Sequence, residues 1–125
     1  MHASHDVRIE AERRHDGILL ARASGELDVL GAPVLRTQLD SFLGDDADFV
    51  VDLGEVTFLG SSGLQVLVDT HRSATLRQRR WAVVGNHRVV TRPLEITGLA
   101  GRLPLQPTLP AAISSLKAPR PVAVH

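Results

Sequence analysis

At 125 residues the chain suits one ordinary domain, which buries roughly two thirds of the surface its unfolded chain exposes. Apolar residues make up 43% of it and aromatics only 3%, so the core is to be built from Leu, Val, Ile and Ala, and a cofactor box lined with rings is not expected. Fourteen basic and fourteen acidic residues cancel, which removes the long-range pull toward nucleic acid or an anionic membrane, and the absence of cysteine excludes disulfides, thiolate metal sites and cysteine nucleophiles.

The N-terminal "MHASHDVRIEAERR" lacks an apolar stretch of signal-peptide length, and no segment approaches the ~20 apolar residues of a membrane span. A cytoplasmic protein is expected. "DVRIEAER" (6–13) alternates apolar and polar at Val7, Ile9 and Ala11, as an edge strand does. Asp16-Gly17 marks a turn into a second strand, "ILLARAS", so the two form a hairpin. "GELD" breaks the pattern. From Pro33 the apolar positions Leu35, Leu39, Phe42 and Leu43 follow helical spacing, and Pro33 suits a first helical turn. "GDDAD" ends that helix, and "FVVDL" has the almost unbroken apolar run of a strand buried on both faces, to be placed centrally.

"GEVTF" then leads to "FLGSSGL" (58–64), the joint before the clearest helix, which carries Leu64, Leu67, Val68, His71 and Thr75 on one stripe to about Gln78. "WAVVG" is a short strand and "NHRVVTRPLEITGL" a helix ending at Gly98, where Pro93 implies either a kink or two short turns. "LPLQ" reads as a weak last strand and "TLPAAISSLK" as a terminal helix. Residues 1–117 are read as one unit and "APRPVAVH" (118–125) as a flexible tail. The order implies an α/β sandwich: a mostly parallel sheet of four to five strands, an N-terminal β-hairpin and about four helices.

Loops after the carboxyl ends of parallel strands collect ligands and partners, and the serine joint is such a loop. Serine is a preferred helix cap, so a purely structural Ser61 or Ser62 is one reading. A phosphate-binding loop needs G-x-x-x-x-G-K-[ST], which is absent, and a hydrolase elbow needs G-x-S-x-G and a base, whereas "GSSG" has the wrong spacing and His71 is expected to pack. The remaining reading is reversible phosphorylation.

"GELD" (25–28), "VVDLGEVTFLGSSGL" (50–64) and "ITGL" (96–99) together resemble the STAS domain of bacterial anti-sigma factor antagonists, in order and over about residues 6–117. The resemblance implies a non-enzymatic, switchable binding module. It binds an anti-sigma factor that is also a serine kinase, frees the sigma factor, and is switched off when the kinase phosphorylates Ser62; a serine phosphatase would restore it. The implied contact surface is Ser62 with Asp28, Gly60, Ser61, Gly63, Leu64, Gln65, Asp69 and Arg72. The family usually has aspartate where this chain has Gly60, and Asp28 is placed to supply a carboxylate on the same rim. Gly60 and Gly63 are read as leaving room for a partner's backbone. A rival from another class is a ligand-sensing or scaffold module of the same fold, with the serines only a cap.

Other features have plainer readings. "RQRR" (77–80) is expected to solvate a helix end rather than bind nucleic acid, and Asp45, Asp46 and Asp48 to form a solvated loop rather than a metal site. Asp52 and Glu55 are placed beside a turn below the serines, and Trp81 at the sheet rim. No cofactor or metal is expected, nor nucleic acid or membrane as partner, and the chain is expected as a monomer or weak dimer.

Overall fold

The computed structural model describes residues 7–119. The alternating "RIEAER" forms edge strand β1 (Arg8–Arg13), which turns at Gly17, with φ of +88°, into β2 (Leu19–Leu27). The two pair antiparallel with Arg8 opposite Ser24 and Arg13 opposite Leu19. Then follow α1 (Ala32–Gly44), β3 (Phe49–Leu59), α2 (Ser61–Leu76), β4 (Trp81–Val84), α3 (Arg88–Ile96), β5 (Leu105–Gln106) and α4 (Leu109–Lys117). The sheet order is β1-β2-β3-β4-β5, parallel from β2 onward, with β3 in the middle as its apolar run requires.

The alternation of side chains along the strands divides the core in two. Ala21, Phe49, Val51, Leu53 and Val83 pack beneath α1, α2 and α3; Leu20, Val50, Ala82 and Val84 face α4 through Ala112, Ile113 and Leu116. In α1 the expected stripe of Leu35, Leu39, Phe42 and Leu43 is buried. The last helix starts on Thr108, whose side chain accepts from the Ala111 amide at 3.2 Å.

Several expectations are corrected. β2 does not stop before "GELD": it runs to Leu27 across two register shifts, with Gly25 at φ +93° absorbing one of them. β3 likewise continues through "GEVTF", so Asp52 and Glu55 lie in a strand rather than beside a turn, and Asp52 Oδ1 accepts from the Gly54 amide at 2.8 Å. In α2 the buried stripe is Val66, Leu67, Thr70 and Ala74, leaving Leu64, Val68 and His71 half-buried at its margin and Thr75 exposed. Small residues bring this helix close to its neighbours. Pro93 sits inside a single nine-residue helix. Trp81 is buried against Phe49, with ring centroids 5.6 Å apart, and its indole N–H donates to His71 Nδ1 at 3.1 Å.

The arginines of "RQRR" do more than solvate their own helix. Arg77 donates to the Leu43 carbonyl at the end of α1, and Arg79 reaches the Asp45 carbonyl and the Asp46 carboxylate. Arg80 donates to the carbonyls of Ser115, Leu116 and Ala118 at the end of α4. They satisfy carbonyls that helix C-termini leave open. Of the expected tail, Ala118 is thus held, and residues 120–125 lie outside the described residues.

The hairpin turn is tied to α4 through Asp16, whose carboxylate takes the Arg14 guanidinium, the Ile18 amide at 3.2 Å and Lys117 Nζ at 3.1 Å. Hydrogen bonding from Arg14 above all, then from Lys117, holds this carboxyl far below the ordinary carboxylate range against the opposing effect of desolvation. A depressed folded-state pKa contributes stability that is complete above the unfolded value and fades as pH falls below it. Asp16→Asn is therefore expected to lower the melting temperature at neutral pH, and its deficit against the unaltered chain to shrink as the pH of the melts drops below about 4.

Candidate functional site

β3 ends at Leu59, and Gly60 turns the chain into α2 in extended geometry, with φ −97° and ψ −175°. Its N–H donates to the Leu27 carbonyl at the end of β2 at 3.1 Å, and its carbonyl accepts from Leu64 at 3.0 Å, the first bond of the helix. Gly60 is therefore the residue in the capping position, and no side chain caps the helix. Ser61 and Ser62 already lie in its first turn. This overturns the capping reading of the pair: a serine caps from the residue before the helix, and Ser61 lies one step and Ser62 two steps too late.

The hydroxyls of Ser61 and Ser62 form no hydrogen bond with the described residues, Ser61 exposed and Ser62 half-buried. They sit at the positive end of a 16-residue helix, where the first amides lack intrahelical acceptors. A hydroxyl there is open to chemistry, and a negative charge added to it meets a favourable field.

The two glycines do different work from that expected. A β-carbon at position 63 would lie 3.0 Å from the Leu27 carbonyl oxygen, 3.0 Å from Leu27 Cβ and 2.8 Å from Leu59 Cδ1, so buried Gly63 is demanded by packing rather than by a partner's approach. A β-carbon at position 60 would meet the Phe58 ring at 2.8 Å, and that ring is 48% exposed.

Asp28 adjoins the same joint through Leu27. Its Oδ1 accepts from the amides of Leu30 and Gly31 at 3.0 and 2.8 Å, which fixes the turn before α1. On α2, Asp69 takes Gln65 Nε2 at 2.8 Å and Arg36 Nη2 at 2.9 Å. The Gln65 bond first, then Arg36, lowers its pKa, so Asp69 also ties α1 to α2. Gln65 and Arg72 are exposed and Leu64 half-buried. The fold thus brings Asp28, Gly60, Ser61 and Ser62 to one rim at the carboxyl ends of β2 and β3, with Gln65 and Asp69 along the helix leading from it.

Apolar side chains around this rim were missed by sequence reasoning: Val29, Leu30 and Val34 before and within α1, and Phe58 beside Gly60, are all exposed. For Val29 and Leu30 the signal was present in "DVLG", where bulky apolar residues occupy the turn before α1. A hydrolase lacks support: His71 accepts from Trp81, and His87 Nε2 lies 2.9 Å from the Val56 carbonyl. Among the described residues no group of three or more His, Asp or Glu is placed to hold a metal ion, and no helix is long and apolar enough to cross a membrane.

A family model described as "STAS domain" matches residues 9–112. An anti-sigma-F factor antagonist, RsfB, of Mycobacterium tuberculosis is 30% identical over 107 residues, covering 85% of this chain and 87% of that protein. An anti-sigma F factor antagonist of Paenibacillus polymyxa is 29% identical over 114 residues, covering 90% and 97%. The crystal structure of an anti-sigma factor antagonist from Mycobacterium paratuberculosis superposes with a TM-score of 0.85 at 32% identity, over 94% of this chain and 100% of that one.

The two glycines are expected to respond differently to the same change. Gly63→Ala drives a methyl against backbone and core and should lose about 1–3 kcal/mol in urea denaturation. Gly60→Ala meets only a surface ring that can swing aside and should stay within about 0.5 kcal/mol of the unaltered chain.

Proposed function

The chain belongs to the STAS domain family, and from that membership we propose that it is an anti-sigma factor antagonist, which binds an anti-sigma factor by surface contact and thereby releases a sigma factor. Ser62 is its regulatory residue, phosphorylated by a partner of serine-kinase type and restored by a phosphatase. The observation that carries this reading is the state of the Ser62 hydroxyl: unbonded to described residues, half-exposed, and in the first turn of α2.

The physical effect of the modification is specific to that place. A phosphate adds about −1.5 to −2 charges, which the helix N-terminus tolerates, so the fold persists while the surface changes. A partner that covers the rim must desolvate the added charge. A penalty of about 3 kcal/mol weakens binding roughly a hundredfold, which suffices for a switch. Around Ser62 the contact surface consists of Ser61, Gly60 and the Asp28 turn, then Leu64, Gln65, Asp69 and Arg72 along α2, with Gly63 setting the helix close to β2. The nearest rival is a scaffold or ligand-sensing module of the same fold whose serines merely cap the helix; Gly60 in the capping position speaks against that cap and supports the regulatory reading.

Incubation with the cognate anti-sigma factor and ATP, followed by phosphopeptide mass spectrometry, is expected to place one phosphate on Ser62. Ser62→Ala should bind the anti-sigma factor as the unaltered chain does and accept no phosphate at this site. Ser62→Asp should bind at least about tenfold more weakly by calorimetry. An unmodified Ser62 together with unchanged affinity of Ser62→Asp would return the scaffold module to first place.

A further inference from the structure

β3 outruns its neighbour: pairing with β4 ends at Asp52 opposite Val84, yet β3 continues to Leu59. Helix α3 occupies the vacated flank, anchored by buried Val90 and Leu94. Between the two elements lies an open groove of about 480 Å³. Phe58, Val89, Pro93 and Ile96 supply its apolar lining, with Ile96 71% exposed. Large apolar side chains gathered on neighbouring elements mark interaction surfaces more often than isolated ones do.

The polar side of the groove is of one sign. Arg88 and Arg92, one turn apart on α3, line it and make no ion pair with the described residues, whereas Arg13, Arg14, Arg36 and Arg79 each hold a carboxylate and Arg77 and Arg80 hold carbonyls. No carboxylate lines the groove among the described residues; Glu26, the cross-strand neighbour of Phe58, lies outside it. The Phe58 ring also fills the space above Gly60, so the groove and the serine loop share a wall.

We infer that this groove receives an acidic, amphipathic segment of the anti-sigma factor, its apolar side chains over Phe58, Val89 and Ile96 and its carboxylates on Arg88 and Arg92; the inference rests on the antagonist reading above. Two cations beside an apolar floor are complementary to such a segment. The contact extends the interface from the α2 side of the serines to the α3 side, so docking covers Ser62 from both flanks.

The test uses the full chain and the anti-sigma factor that it brings down, identified by mass spectrometry and then purified. Calorimetric titrations at low and physiological salt compare R88E/R92E, Ile96→Ser and an equal-charge control, R8E/R22E, on the open face of the sheet, and circular dichroism melts establish that each variant folds. R88E/R92E and Ile96→Ser are each expected to bind about tenfold more weakly, R88E/R92E with a shallower salt dependence, while R8E/R22E stays within about twofold. Groove variants that bind like the unaltered chain while Ser62→Asp does not overturn the groove and leave the antagonist reading standing. Equal weakening by R8E/R22E also overturns it, since the effect is then net charge alone. An unaltered chain that binds no anti-sigma factor overturns both.

Discussion

The geometry of the site depends on how closely the start of α2 approaches the end of β2. The Leu27 carbonyl accepts the Gly60 N–H at 3.1 Å, and three residues later Gly63 lies so near Leu27 that a single β-carbon would stand 3.0 Å from the same oxygen. The hydrogen bond fixes where the helix begins; the absent side chain lets its first turn settle against the strand. Together they decide that Ser61 and Ser62 fall within the first turn instead of before it. A shift of one residue would make a serine the cap and engage its hydroxyl with backbone amides. That the Ser61 and Ser62 hydroxyls bond to none of the described residues is thus a consequence of backbone packing beside them.

The sequence revealed most where one physical rule dominated. Leu35, Leu39, Phe42 and Leu43 lie on a surface helix with one buried stripe, and helical periodicity located them. "FVVDL" is apolar but for Asp52 because it lies at the middle of the sheet between two helical layers. Legibility failed where rules competed. β3 carries an extra residue against β2 both between Asp52 and Glu55 and between Val56 and Phe58, so its buried positions pass from Leu53 to Val56 to Leu59, a spacing that is neither two nor helical. In α2 the stripe of Leu64, Leu67, Val68, His71 and Thr75 is read as the buried one, but close packing selected Val66, Leu67, Thr70 and Ala74 for the interior and left Leu64 and Val68 at its edge. The serine pair was visible as a motif, but its freedom from capping depends on which residue begins the helix, and propensity alone does not fix that to within one position.

The arginines show a related separation of roles. At the far end of α2, Arg77, Arg79 and Arg80 point to the carboxyl ends of two other helices and join α1, α2 and α4 through carbonyls that would otherwise face only water. A basic run of this kind resembles a polyanion site when read as a string. In three dimensions its charges are already engaged. Arg88 and Arg92 on α3 make no ion pair with the described residues and border an exposed apolar surface.

Electrostatic balance gives these local patterns their weight. A formal charge of zero provides little steering at a distance, and at physiological salt fields from exposed charges fade within about 8 Å. Recognition must therefore be decided at contact range, by exposed apolar groups such as Phe58 and by the charges beside them. In such a molecule a phosphate on Ser62 would change the whole chain from neutral to about −2 while acting within one screening length of the rim. The same modification on a strongly charged protein would be a small fraction of its field. Near neutrality makes a single covalent event large both globally and locally, and the positive start of α2 confines its cost to the partner's side of the interface.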